Sequence, residues 1–316
     1  MRSPLVVCIF SAANSISVIL LSVLIFEVPN SFLIISIALM YDKLYIACGL
    51  KSNYMNLQTV ILCGGLGTRL KEETEFRPKP MIEIGSKPIL WHIIKMYLAH
   101  GFSDFVLCLG YRGDYIRNYF ANFDVLNNDV TLSFSNGKKL KPLLAQDPAT
   151  DFKVTLADTG YNAMKGARIK RIEKYIHGDT FMLTYGDGVA DINLELLLKF
   201  HEKHGRIGTV TGVKPPSRFG EMVVDGERVV SFTEKPQTSS GLINGGFFIF
   251  NRKIFDYLTE DDSCDFEVGA LEELCKDGEL MVYELAGQWA CMDTYRDMEY
   301  LNRLWRENRA FWKVSK

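Results

Sequence analysis

The chain has 316 residues, with 36 lysines and arginines against 38 aspartates and glutamates, for a formal net charge of −2. That balance supplies no global basic field, so no nucleic-acid partner is expected, while 47% hydrophobic residues are enough for a large α/β core. Seven scattered cysteines form no Cys-x-x-Cys pair, which argues against a zinc ribbon or a disulfide framework and for free thiols in a reducing cytoplasm.

Charge is unevenly spread. Residues 1–54 hold only Arg2, Glu27, Asp42, Lys43 and Lys51, and residues 3–26 hold no charge at all. That run is long enough to span a bilayer, although serines and asparagines interrupt it and Pro29 follows it. Met55 opens Met-Asn-Leu-Gln-Thr-Val-Ile-Leu, which looks like a natural start before a first strand. Three readings stand: a start placed too far upstream, a membrane anchor, or a removed targeting segment. The expected organisation is an apolar extension over 1–54 and one α/β domain over 55–316. A cytoplasmic location is expected, with membrane association only if residues 1–54 belong to the native protein.

From residue 58 strand-like and helix-like patterns alternate. Gln58–Cys63 is a buried strand ending in glycines. Pro88–Ala99 reads as a helix, with Pro88 near its start and Gly101 past its end. Strands are expected at Phe105–Leu109 and Val130–Phe134, with a short helix at Tyr115–Phe120 between them. The stretch Ala121–Asp158 is expected to carry long loops. Arg168–Ile176 has helical spacing, and Phe181–Tyr185 is a strand closed by Gly186-Asp187-Gly188. Leu194–His204 is an amphipathic helix ended by Gly205. Thr209–Val213 is a strand, and Glu221–Thr233 a hairpin turning at Asp225-Gly226. Phe247–Phe250 and Leu280–Leu285 are strands; Val268–Lys276 and Tyr295–Arg306 are helices. Alternating β and α with short connections predicts a Rossmann-like, mostly parallel sheet with helices on both faces.

Ligands of such a sheet bind at the carboxyl ends of its strands. The first strand runs into Gly64-Gly65-Leu66-Gly67-Thr68-Arg69-Leu70. A dinucleotide fingerprint would need glycine where Leu70 stands, and no Gly-Lys-Ser/Thr tripeptide supplies a Walker A loop. What is left is a turn whose bare backbone can approach phosphate oxygens, with Arg69 to neutralise them, or simply a tight strand–helix connection. Eight residues after Arg69 begins Arg77-Pro78-Lys79-Pro80. The two prolines hold the backbone extended around Lys79 and deny it a helix, so Lys79 reads as a fixed point charge for a triphosphate. Asp187, between glycines at a strand end, is placed to carry a metal or to close a turn. Asp293 lies just before the last helix and could equally cap it.

Gly-Gly-Leu-Gly-Thr-Arg-Leu followed by Arg-Pro-Lys-Pro resembles the signature of the sugar-phosphate nucleotidyltransferases. The resemblance extends through Pro88-Ile89-Leu90-Trp91-His92-Ile93, Tyr185-Gly186-Asp187-Gly188, Asn244-Gly245-Gly246 and Met292-Asp293-Thr294, and covers none of residues 1–54. It implies a nucleotidyltransferase fold in which Arg69 and Lys79 are catalytic and Asp187 and Asp293 bind Mg²⁺. It places Leu62, Cys63, Gly64, Gly65, Leu66, Gly67 and Thr68 on the nucleotide. It implies that Glu234 bonds the sugar hydroxyls, Lys235 meets the sugar phosphate and Asn244 and Gly245 lie near the sugar, with Gly186 among the nucleotide- or substrate-binding residues. The loop Leu156-Ala157-Asp158-Thr159-Gly160 with Arg168 resembles that of the cytidylyltransferase branch, implying CTP and glucose 1-phosphate as substrates and CDP-glucose and pyrophosphate as products. Arg168 would supply a further phosphate contact or meet a neighbouring subunit. This branch implies a homo-oligomer, with loops of the 121–168 region crossing between subunits. At Cys63, Ala163, Lys165 and Ala167 the chain departs from that pattern. An enzyme using dTTP or UTP shares the charged positions, and a non-catalytic regulatory paralogue is the reading of a different class.

Overall fold

The computed structural model describes residues 57–133, 139–142, 151–214, 221–225, 227–233 and 241–313. The expected extension over 1–54 lies outside the described residues, as do Glu234 and Lys235. Among the described residues no helix is long and apolar enough to cross a membrane.

An eight-stranded sheet organises the domain. Its parallel half is β4 (Thr180–Tyr185), β1 (Gln58–Leu62), β2 (Asp104–Leu109) and β3 (Lys153–Asp158), side by side in that order. Beyond β4 the direction changes. The strands there are β5 (Gly208–Val213), β6 (Ile243–Asn244), β7 (Phe248–Asn251) and β8 (Leu280–Glu284). β7 runs antiparallel to β4 and to the start of β5, while β6 pairs with the end of β5. β8 lies parallel to β5 on its other side. The expected mostly parallel sheet is present.

Strand alternation sends successive side chains to opposite faces, and each face has its own core. Ile61, Leu107, Met182 and Ile249 share one cluster with helices α1 (Ile89–Ala99), α4 (Leu194–His204) and α5 (Tyr295–Arg306). Val60, Val106, Leu183 and Phe248 share the other with Ile169 of helix α3 (Lys165–Arg171), Phe255 and Phe266. Helix α2 (Gly113–Ala121) carries Ile116 to the first face. The α4 helix is capped by Asn193, whose side chain accepts from the Leu196 N–H, and closes on Gly205 in the left-handed region.

Three expectations are corrected. Besides the expected strand, here Val130–Ser133 paired antiparallel with Lys139–Pro142, the Ala121–Asp158 stretch contributes β3, the edge of the parallel half, which was not expected. β3 hides from a hydrophobicity search because only Ala157 of its six residues is fully buried. Val268–Lys276 is helical only from Glu272; Phe266–Leu271 is a wide turn with Val268 (φ −90°, ψ 56°) and Gly269 outside helical geometry. The Asp265 carboxylate caps the start of this turn, accepting the N–H groups of Glu267 and Val268, and the departure from helical geometry comes after it, at Val268 and Gly269. Finally, Lys79–Met81 forms one 3₁₀ turn behind an extended Pro78. Pro80 tolerates it because the first N–H groups of a helical turn need no partner and its φ is already preset.

Candidate active site

The glycine loop leaves β1 at the carboxyl edge of the sheet. Its form is set from behind by Arg168, a guanidinium only 4% exposed. Nη1 donates to the carbonyls of Leu109 and Gly160 and to the Thr159 hydroxyl; Nη2 donates to the carbonyls of Gly64 and Tyr161. One planar fork therefore fastens the ends of β1, β2 and β3 together. A β-carbon on Gly64 would lie 2.2 Å from Nη1, so the loop passes this close only as glycine. Here the structure corrects the expectation for Arg168: its donors are turned inward onto protein oxygens, and it shapes the loop rather than reaching outward to a phosphate or a neighbouring subunit. Thr159 is likewise buried, its hydroxyl donating to Leu109. Leu62 and Cys63 send their side chains into the core, and burial, together with the nearby Cys108 and Asp187, pushes the Cys63 thiol up, outweighing Arg168. Gly65, Leu66, Thr68 and Arg69 face solvent.

The 3₁₀ turn delivers Lys79 to the middle of the site. Its Nζ donates to Asp187 Oδ2 at 2.5 Å and to Asp293 Oδ1 at 2.6 Å, and Arg69 Nη1 donates to Asp293 Oδ2 at 2.9 Å. Burial works against the Lys79 charge, but the two carboxylates outweigh it and its pKa ends above the ordinary value. Burial also works against the Asp293 charge, and Lys79 and Arg69 outweigh it, so this carboxyl ends below its ordinary value. Gly186 makes room for the assembly: a β-carbon there would meet the Leu62 carbonyl at 2.7 Å and Pro80 at 2.8 Å.

The two carboxylates are joined by a short antiparallel ladder, Gly188–Ala190 with Trp289–Cys291, tightened by the Met292 N–H donating to the Asp187 carbonyl. Asp293 is not the cap of α5. That duty falls to Thr294, whose hydroxyl accepts from the Asp297 N–H while the Asp297 carboxylate accepts from the Thr294 N–H. The Asp293 carboxylate is thereby left to the site. An ammonium seated between two carboxylate oxygens shows that both converge on one cation position. Among the described residues no group of three or more His, Cys, Asp or Glu could hold a metal ion. Two carboxylates nonetheless fit a hard cation that keeps waters and takes phosphate oxygens for its other positions.

On the other side of this cluster stand neutral polar groups. Tyr185, the last residue of β4, accepts from Asn244 Nδ2 at 2.9 Å and donates to Glu267 Oε1 at 2.8 Å. The Asn244 Oδ1 accepts from the Gly246 N–H, and Trp289 Nε1 donates to the Gly245 carbonyl. Lys165 pairs with Glu267. Sequence reasoning singled out Asn244 and Gly245 but missed Tyr185 and Glu267. Tyr185 carried a signal, its place directly before Gly-Asp-Gly; Glu267, within an expected run toward a helix, carried none.

With this geometry in view, residues 58–308 match the family model described as nucleotidyl transferase. The chain is 46% identical over 259 residues to the glucose-1-phosphate cytidylyltransferase of Salmonella typhi, covering 82% of this chain and 99% of that protein. The enzyme of the same name from Salmonella typhimurium matches with the same identity and coverage. Among solved structures, HddC from Yersinia pseudotuberculosis superposes with a TM-score of 0.55 at 24% identity, over 79% of this chain and 99% of that one.

Proposed function

The chain belongs to the nucleotidyl transferase family, and we infer from that premise that it is a glucose-1-phosphate cytidylyltransferase. It transfers the cytidylyl group of CTP to glucose 1-phosphate, giving CDP-glucose and pyrophosphate. The observation that carries the chemistry is the meeting of Arg69, Lys79, Asp187 and Asp293 from four separate segments at the carboxyl ends of β1 and β4.

In the reaction a phosphate oxygen of the sugar phosphate bonds to the α-phosphorus of CTP. The bond to the bridging oxygen breaks and its electron pair leaves with pyrophosphate. The attacking oxygen is already anionic, so no general base is needed; the obstacle is repulsion between two anions. Lys79 and Arg69 meet that charge, and the glycine loop presents backbone N–H groups without β-carbons in the way. Asp187 and Asp293 would hold a divalent cation, Mg²⁺, which would supply further neutralisation on the phosphate oxygens. A cytoplasmic enzyme acting as a homo-oligomer completes the proposal; light scattering reads its subunit number, and an active monomer overturns that part.

We place the catalytic unit in residues 55–316, a reading supported by the match over 58–308. A chain starting at Met55 is expected to turn over as fast as the full chain. The reaction itself is tested by supplying each nucleoside triphosphate with glucose 1-phosphate and Mg²⁺ and measuring pyrophosphate. CTP is expected to give the highest kcat/KM; a higher value with dTTP or UTP overturns the cytidine assignment.

A further inference from the structure

The two halves of the site are held by one short helix. Arg168 of α3 fastens the glycine loop. One turn earlier, Lys165 lies 5.2 Å from the Tyr185 ring centre and pairs with Glu267. Glu267 accepts from the Tyr185 hydroxyl, and that hydroxyl accepts from the Asn244 amide. Each link has a defined direction. A carboxylate can only accept, so the Tyr185 proton is committed to Glu267 and its lone pair is turned to Asn244. The Gly246 N–H fixes the other end of the same amide. Asn244 is thus held in one of its two flipped states, although its residue is exposed and nothing buries the side chain.

The sheet order gives this chain of bonds a place in the reaction. In the sheet the glycine loop follows β1, beside β2 and β3, whereas Tyr185 ends β4 and Asn244 lies on β6, both on the other side of β1. Two anions that react at the cluster must approach it from different sides. A phenol and a primary amide are neutral hydrogen-bonding groups, suited to hydroxyls and ill suited to a phosphate. Glu267 lies near the start of the wide turn, its N–H held by the Asp265 carboxylate, and its own carboxylate meets Tyr185.

Resting on the reaction proposed above, we propose that Glu267, supported by Lys165, is a positioning residue for the acceptor sugar: through Tyr185 it fixes the Asn244 amide that bonds the hydroxyls of glucose 1-phosphate. Glu267 does not touch the substrate, and it governs how well the sugar is held rather than how well CTP is.

The test compares wild type, Glu267→Ala and Glu267→Gln by steady-state kinetics with both substrates varied. Glu267→Ala is expected to raise the KM for glucose 1-phosphate about tenfold, the loss of one hydrogen-bonded orientation, with the KM for CTP and the Tm nearly unchanged. Glu267→Gln keeps an acceptor for the Tyr185 hydroxyl and is expected to stay within about threefold of wild type, the residual cost of a neutral acceptor. An unchanged KM for glucose 1-phosphate in Glu267→Ala overturns the proposal, as does a parallel rise of both KM values with a fall in Tm, which marks a merely structural role. Wild-type turnover reports separately on the reaction: if another triphosphate proves to be the donor, the same comparison is made with that donor, and the sugar-phosphate KM still decides the role of Glu267.

Discussion

The glycine loop and the charged cluster perform adjacent parts of one task and are built in opposite ways. The glycine part of the loop, Gly64 to Gly67, is useful for the side chains it lacks, and its shape is imposed by one buried arginine on carbonyl oxygens. The cluster is made of side chains, with Lys79 and Asp293 214 positions apart in sequence, brought together by a two-strand ladder and a capped helix. The difference teaches where each is vulnerable. Damage to the loop's support should cost folding and nucleotide binding together. Damage to the cluster should cost turnover and leave folding almost intact, because its groups are partly solvated and a neutral isostere fits.

The largest effect that separates the two is expected from Asp187→Asn and Asp293→Asn. Each removes a carboxylate proposed to hold the cation and should lower kcat by roughly 10³-fold or more, while the thermal midpoint moves by a few degrees at most. Pyrophosphate release and differential scanning calorimetry on the same samples check both halves. An inactive variant that is also unfolded would erase the distinction drawn above.

Arg168→Ala probes the opposite case. It strands several buried oxygens and opens a cavity, for an expected loss of about 3 kcal/mol or more. Arg168→Lys should recover less than half of that, since an ammonium cannot reproduce the fork. Chemical denaturation gives the stability and the KM for CTP gives the loop. Full stability in Arg168→Ala would mean the loop shapes itself.

Gly64→Ala sharpens the comparison at a single carbon. The β-carbon would collide with the Arg168 guanidinium, and a loss of about 1–3 kcal/mol is expected. Gly65→Ala is the control: nothing lies within 4 Å of its β-carbon, and a change within about 0.5 kcal/mol is expected. Equal effects at the two positions would remove Arg168 as the cause.

The smallest effect is the cluster's contribution to stability, read from its pH dependence. The raised Lys79 pKa stabilises the fold fully below its ordinary 10.5 and stops doing so as pH rises through the folded value. The lowered Asp293 pKa stabilises it above the ordinary 3.8 and stops as pH falls through the folded value. The stability difference between wild type and Lys79→Met should therefore be flat between these limits, about 1 kcal/mol, and shrink toward both ends. Denaturation midpoints across that range check the shape.

Much of the parallel half was legible because its signals are local. β1 is a run of β-branched and apolar residues ending in glycines, and α4 has an apolar stripe with a glycine stop. The α5 helix matched to the residue, although the cap the sequence offered, Asp293, is replaced by a Thr294–Asp297 capping box. β3 was lost because an edge strand buries little, and the turn at 266–271 because helical spacing continues through Val268 and Gly269, whose backbone leaves helical geometry. The charged positions of the site were legible as motifs, yet nothing local distinguished Arg168, which turns inward, from Arg69, which faces out.

By itself the sequence determined an α/β domain, a glycine turn after the first strand, a lysine fenced by prolines and two candidate carboxylates, since each depends on residues within about one turn or strand of chain. Only the tertiary structure decided that Lys79 bridges Asp187 and Asp293, that Arg168 holds the loop from within, and that Glu267 reaches Asn244 through Tyr185. Those pairings join segments far apart in the chain, and their partners become neighbours only when the sheet aligns the carboxyl ends of its strands and the Gly188–Ala190 ladder closes on Trp289–Cys291.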